Sequence, residues 1–351
     1  MRRVAVGVLA SAAALVLVSG GWGGAGASGG IPPGFRPETA AAVGTRDLWV
    51  LGEHRCGRGW CFALLRSSRS GKQFERVAFP PFPSQGSVPT VSFANARDGF
   101  AYVDDETPLY ATHDGGESWR REGPTRNVTA FVAAGGYAYL LAGRHRLERA
   151  PVGRNRWRAL TRSAAHRPVS LAARRSDVWL LGPPRHRPDF DTLALSTDHG
   201  RTFKHEKGPC LSELGGALVP AGDGVVWAVC PTGNMAELAL STNGGRSFPA
   251  IRSVHDPGGL RQPGLVNSAQ IAAASARVAV LSRGAEGALL RTTDAGLHWR
   301  SVPRTARISG VFWLGFTTSR VGAALVQMGH QTQLWRTTDG GATWRNIPIT
   351  G

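Results

Sequence analysis

The chain has 351 residues, a formal net charge of +17, 46 glycines, 11 tryptophans and four cysteines. Its 42% hydrophobic content supports a sizeable core and excludes global disorder. Lysine occurs only at Lys72, Lys204 and Lys207, so 38 of the 41 cations are arginines, a ratio expected of GC-rich coding as much as of any ligand. Length alone allows two domains or one large all-β ring. Abundant Gly and Trp beside three Met suit short strands and tight turns rather than a helical bundle.

Residues 1–27 read as a secretory signal peptide. Arg2 and Arg3 form the charged start. Val4 to Val18 is a 15-residue apolar run, short for a membrane span. Ala25-Gly26-Ala27 supplies an A-x-A-like cleavage site. No later stretch approaches a spanning length, so the mature chain is expected to lack a transmembrane segment and to be secreted or held at the cell envelope. Residues 28–36 are then a short linker.

Export changes the meaning of the cysteines, because an oxidising compartment favours disulfides. Four cysteines allow three connectivities. Cys56 and Cys61 bracket a tight Arg-Gly-Arg-Gly-Trp segment, and Cys210 and Cys230 lie 20 apart, so 56–61 with 210–230 is the favoured pairing. The rival is a metal site, but there is no C-x-x-C and no histidine at zinc-like spacing. Neither a metal nor a cofactor is expected.

An internal repeat sets the organisation from 37 to 351. Its clear copies are Thr112–Trp119, Ser196–Phe203, Ser241–Phe248, Thr292–Trp299 and Thr337–Trp344. They share Ser/Thr-x-Asp/Asn-x-Gly-x-x-aromatic: Asp114 with Trp119, Asp198 with Phe203, Asn243 with Phe248, Asp294 with Trp299, Asp339 with Trp344. Worn copies end at Phe74 and Trp157. A leucine precedes each aromatic by ten residues, and the seven aromatics average 45 residues apart. A period of about 45 is the size of a four-stranded propeller blade. Alternating short runs such as Thr90–Phe93 and Leu289–Thr292 supply strands, and no long run has helical periodicity. The predicted fold is therefore all-β, a single seven-bladed β-propeller. Each box reads as a self-fastening hairpin between the third and fourth strands. Its Asp/Asn and Ser/Thr oxygens accept backbone N–H bonds, and its Gly supplies positive φ.

These boxes resemble the Asp-box, or BNR, repeat of the sialidase-like propellers, a superfamily that includes the photosystem II assembly-factor propellers and sortilin-type receptors. The resemblance spans essentially the whole mature chain. In that family the box is structural, so it implies fold rather than activity. A WD-repeat assignment fails because no Trp-Asp dipeptide is present.

A sialidase of this family would need an arginine cluster, a general acid and a late tyrosine nucleophile. Phe35-Arg36-Pro37 lacks the isoleucine of the family's first arginine motif. The only tyrosines are Tyr102, Tyr110, Tyr137 and Tyr139, none in the final 212 residues. No nucleophile elbow, P-loop or H-E-x-x-H occurs. Asp104-Asp105-Glu106 reads as a hydrophilic turn, and no catalytic residue is assigned.

The blade register puts all four cysteines on the face that carries the 2–3 and 4–1 loops. Glu53 to Trp60 reads as one of the 2–3 loops. Arg55, Arg58, Arg144, Arg146, Arg185 and Arg187 fall on the same face, with Trp60 and Phe82 among them. Arginine forks and aromatic plates suit carboxylates, phosphates and sugar rings. The expected function is non-catalytic binding or scaffolding at the envelope. Its expected partners are an anionic glycan, a cell-wall polymer or an acidic protein. A glycan-active hydrolase is the alternative. Specific nucleic-acid binding is not expected, and the chain is expected to be a monomer.

Overall fold

The computed structural model describes residues 29–82, 87–103, 108–122, 128–142, 146–160, 168, 170–184, 190–211, 216–232, 235–248, 251–252, 265–266, 270–282 and 288–351. Seven antiparallel sheets are built, each from strands consecutive in sequence. The first blade is Arg36–Val43, Asp47–Cys56, Gly59–Ser67 and Glu75–Val77. The seventh is Ile308–Phe316, Gly322–Met328, Gln331–Thr337 and Arg345–Ile347. In the fifth blade the short strand Leu265–Val266 also pairs with the third strand, Met235–Ser241. The fold is an all-β seven-bladed propeller, with no helix among the described residues.

The first strand of each blade touches the first strand of the next, and Arg36–Val43 of blade 1 touches Ile308–Phe316 of blade 7. The ring therefore closes without a strand exchanged between its ends. Two bonds help to hold the seam. The Arg336 guanidinium donates to the Thr45 carbonyl at 2.8 Å. The Phe74 amide donates to the Thr350 carbonyl at 2.9 Å.

Successive side chains of a strand point to opposite faces, and the inner strands are apolar on both, so each blade packs against a neighbour on either side. One cluster joins Leu48, Val50 and Leu65 of blade 1 to Ala323, Leu325 and Leu334 of blade 7. The next joins Trp49, Leu51 and Leu64 to Val91, Phe93 and Ala101 of blade 2. The leucines that precede each box aromatic (Leu64, Leu109, Leu147, Leu193, Leu238, Leu289, Leu334) are all at most 2% exposed. Full burial of such a side chain contributes about 1.5–3 kcal/mol.

The five well-formed boxes share one hydrogen-bond pattern. The opening hydroxyl accepts the N–H of the glycine four residues on: Gly116 to Thr112, Gly200 to Ser196, Gly245 to Ser241, Gly296 to Thr292, Gly341 to Thr337, all at 2.8–2.9 Å. The same hydroxyl donates to the Asp or Asn oxygen two residues on. That oxygen accepts the N–H of the seventh residue, as from Ser118 to Asp114 at 2.9 Å. The worn box at Ser67 keeps the hydroxyl bond from Gly71 at 3.0 Å, but Arg69 stands where the carboxylate would be. Gly296 is required twice over. Its φ of +83° lies in the left-handed region, and a Cβ there would come within 2.8 Å of the Trp227 ring. Box glycines thus serve as seats for the second strand of the preceding blade. Trp49 donates to the Gly115 carbonyl at 3.0 Å and Trp179 to Gly244 at 2.7 Å across the same kind of junction.

Candidate functional site

The two disulfides are Cys56–Cys61 and Cys210–Cys230, with Cα–Cα distances of 5.8 and 5.0 Å. The first changes the reading of residues 53–60. That segment is not a loop. Strand pairing continues to Cys56 opposite Gly59, leaving a two-residue turn at Gly57-Arg58. Gly57 has φ +61°, which a two-residue turn favours. The disulfide fastens the tip of a stiff ribbon that extends from blade 1.

Register decides what the ribbon presents. Arg36 lies opposite Glu53, and Arg55 lies opposite Trp60. Glu53 and Arg55 are two residues apart, so all four share one face of the sheet. The Arg55 guanidinium carbon sits 4.5 Å from the Trp60 ring centre, and that of Arg36 sits 4.8 Å away. Each cation–π contact at a half-exposed ring contributes about 0.5–1 kcal/mol. Among the described residues neither guanidinium makes an ion pair. Their fork donors therefore stay available for an incoming oxyanion. Arg58 is exposed at the turn beside them.

Acids lie among these residues, Glu53 on the same face and Glu38 on the first strand. Glu38 is partly buried, and its carboxyl is pushed above the ordinary range. Burial is the main cause and the Glu53 charge the second, with Arg36 pulling the other way. The arrangement is an arginine–aromatic platform whose strands also carry two carboxylates, Glu38 and Glu53.

The other expected site residues do not join it. Arg146 opens the third strand of blade 3, and its Nε lies 2.9 Å from the buried Glu148 carboxylate, so it is engaged at home. Arg144, Arg185 and Arg187 lie outside the described residues, as does the acidic run 104–106. Phe82 is not part of the arginine group. It packs on Phe79 and Tyr110, with ring centres 5.6 and 5.3 Å away, because that side chain bridges blades 1 and 2. Arg36 is the residue that sequence reasoning missed: it was assigned to a linker. Only the pairing of the first strand on the second reveals it.

The Cys210–Cys230 region holds a second unusual group. Asp191 is 2% exposed, and both carboxylate oxygens lack a hydrogen-bond partner. Its backbone is pinned: the amide donates to Cys210 at 2.9 Å and the carbonyl accepts from Gly208 at 2.7 Å. Burial pushes this carboxyl up to about 7. By contrast the box carboxylates are saturated with donors. Burial acts upward on Asp198, but bonds from Thr202, Ser196 and Arg201 outweigh it and hold the carboxyl far below its ordinary value. Such carboxylates are fasteners rather than ligand sites.

Among the described residues no group of three or more His, Cys, Asp or Glu is placed to hold a metal. Among them no helix is long and apolar enough to cross a membrane.

No protein-family model matches the sequence, and no curated protein matches it. Solved structures do. The chain is similar to YCF48 bound to D1 peptide, with 17% identity, a TM-score of 0.62, and coverage of 88% of this chain and 96% of that one. YCF48 from Cyanidioschyzon merolae is similar at 14% identity and TM-score 0.59, covering 89% and 98%. A puromycin hydrolase is similar at 16% identity and TM-score 0.58, over 90% of this chain and 54% of that one. The shared fold thus occurs both in a peptide-bound protein and in a hydrolase, and at these identities the likeness speaks to fold alone.

Proposed function

We propose that this protein is an extracytoplasmic, non-catalytic binding or scaffolding propeller whose loop face takes acidic segments of a protein or glycan partner. Residues 1–27 are its export signal, and its repeats are Asp-boxes. One observation carries the reading: Arg36 and Arg55 converge on Trp60 at the tip of a disulfide-fastened ribbon, and among the described residues neither guanidinium makes an ion pair. Two disulfides suit an oxidising compartment. The peptide-bound YCF48 structure is a precedent for a propeller of this shape receiving a chain segment.

The test is a titration of the oxidised chain with an aspartate- and glutamate-rich peptide, followed by tryptophan fluorescence and calorimetry, with a lysine-rich peptide as control. Binding confined to the acidic peptide, and weakened at least tenfold by Arg55→Glu and by Trp60→Ala, is expected. Equal binding of both peptides, or indifference to both substitutions, overturns the proposal.

The alternative, a glycan-active hydrolase, draws on the Glu38–Glu53 pair, since a raised acid beside a second carboxylate is what glycoside cleavage uses. Turnover of fluorogenic glycosides that is lost in Glu38→Gln would establish that reading in place of binding.

A further inference from the structure

A different cavity lies on the opposite side of the ring, beside the box of blade 6. Its volume is about 310 Å³, and its polar lining includes Arg291, Asp294, His298, Arg300 and Ser301. Ala342 of the blade 7 box closes one side.

The electrostatics of this niche are unbalanced. Arg291 on the third strand and Arg300 on the fourth are direct cross-strand partners. Like charges placed opposite one another in a sheet are destabilising. Neither is neutralised, because among the described residues no carboxylate forms an ion pair with them. Asp294 lines the same cavity but is already occupied. Its Oδ1 accepts from Thr292 and from the His298 amide, and its Oδ2 lies 2.7 Å from His298 Nδ1. Arg291 donates through Nε to the Gly340 carbonyl at 2.8 Å, which fixes the guanidinium and leaves its terminal nitrogens.

The equivalent niche in blade 1 has opposite charges at the same register position. There Arg66 on the third strand faces Glu75 on the fourth, and both line a smaller cavity of about 200 Å³. The repeat has put an arginine, Arg300, where that blade has its own carboxylate. Two further arginine pairs occur, Arg149 with Arg158 and Arg336 with Arg345. In both, as for Arg291 with Gly340, the third-strand member reaches into the next blade, to His199 and to Thr45. Arg336 lines only a narrow cleft of about 10 Å³ between blades 7 and 1, too small for an oxyanion.

From the cavity, the facing unpaired arginines and the blade 1 comparison, we infer that the blade 6 niche binds a small oxyanion, a phosphate or sulfate group, between Arg291 and Arg300. The anion takes the place that Glu75 holds in blade 1. A guanidinium fork on each side matches the oxygens of a tetrahedral anion. The group could be the free ion or an ester on a larger molecule, and the niche recognises the same oxygens in both.

The experiment is calorimetric titration of the oxidised, full-length protein with inorganic phosphate, inorganic sulfate and a sugar phosphomonoester, up to ~10 mM for millimolar binding. Saturable binding of at least one is expected. Equal affinity for phosphate and its ester identifies the free ion as sufficient, and tighter binding of the ester identifies a group on a larger molecule. Arg300→Glu recreates the blade 1 pairing and should lower affinity at least tenfold, while raising the melting temperature in the absence of the anion. Arg158→Glu alters the corresponding position of blade 3 and should leave affinity unchanged. Absence of saturable binding by the wild type overturns the inference. So does equal weakening by Arg300→Glu and Arg158→Glu, which would report the overall charge rather than this niche. Neither substitution touches the Trp60 platform, so failure here and failure of the loop-face proposal are separately visible.

Discussion

Asp191 makes the chain's stability fall as pH rises, and replacing it with asparagine should abolish that effect. The acid is almost wholly buried, with neither oxygen hydrogen-bonded, so ionisation strands a charge in a site that offers it no partner. Its folded pKa of about 7 stands above the ordinary 3.8. In the window between those values the folded state keeps a proton that the unfolded chain releases. Stability is therefore complete below about pH 4, declines toward pH 7, and is flat above it. The rise corresponds to about 4 kcal/mol at most, at 1.36 kcal/mol for each pH unit. Asp191→Asn places a neutral amide where the protonated acid sat. At about pH 4 the variant should match the wild type, and at about pH 8 it should be more stable by up to ~4 kcal/mol. Urea unfolding of both oxidised proteins across that range measures the difference directly. Stability curves that stay parallel from acid to alkali would refute the reasoning, since they would mean that the carboxyl ionises as readily in the folded protein as in the unfolded chain.

Further outcomes follow from the fasteners of the ring. The box carboxylates behave oppositely to Asp191: their folded values are depressed, so the stability they contribute is present above about pH 4 and lost on acidification. Asp198→Asn should flatten part of the acid limb of a melting curve, whereas Asn243→Ala should weaken the fold without changing its pH dependence. Replacing Cys210 and Cys230 together by alanine opens a link across 20 residues and should cost about 3 kcal/mol in chemical denaturation. Leu193→Ala, at a site with no exposure, should cost about 2–5 kcal/mol, compared with under about 0.5 kcal/mol for an exposed control such as Leu297→Ala. Arg336→Ala removes one bond of the seam between the first and last blades and should lower the unfolding free energy by about 1 kcal/mol; no change would assign closure to apolar packing alone.

The repeat carried the architecture because a box is local. Thr112, Asp114, Gly116 and Ser118 meet within one turn, so their spacing alone reveals the hairpin and, repeated in five clear and two worn copies, the blade period. The two disulfides were legible for a related reason: both bridge short separations on one face. The candidate site was legible only in part. Arg55 and Trp60 could be placed on the loop face, but Arg36 reaches Trp60 through strand register, and residues 53–60 continue as paired strands where a loop was expected. Arg146 looked like a member of an arginine surface, yet Glu148, two residues along the same strand and on the same face, holds it.

Composition, period and turn chemistry are short-range properties, and they determined the propeller, its seven units and its cross-links. Which arginines are free and which are held depends on partners brought near by strand pairing and blade packing. Glu75 stands opposite Arg66 while Arg300 confronts Arg291 at the same step of the repeat. A surplus of arginine is visible in the composition. Its division between fasteners and open binding groups was decided only by the tertiary structure, because a charge is neutralised by what lies within a few ångströms of it.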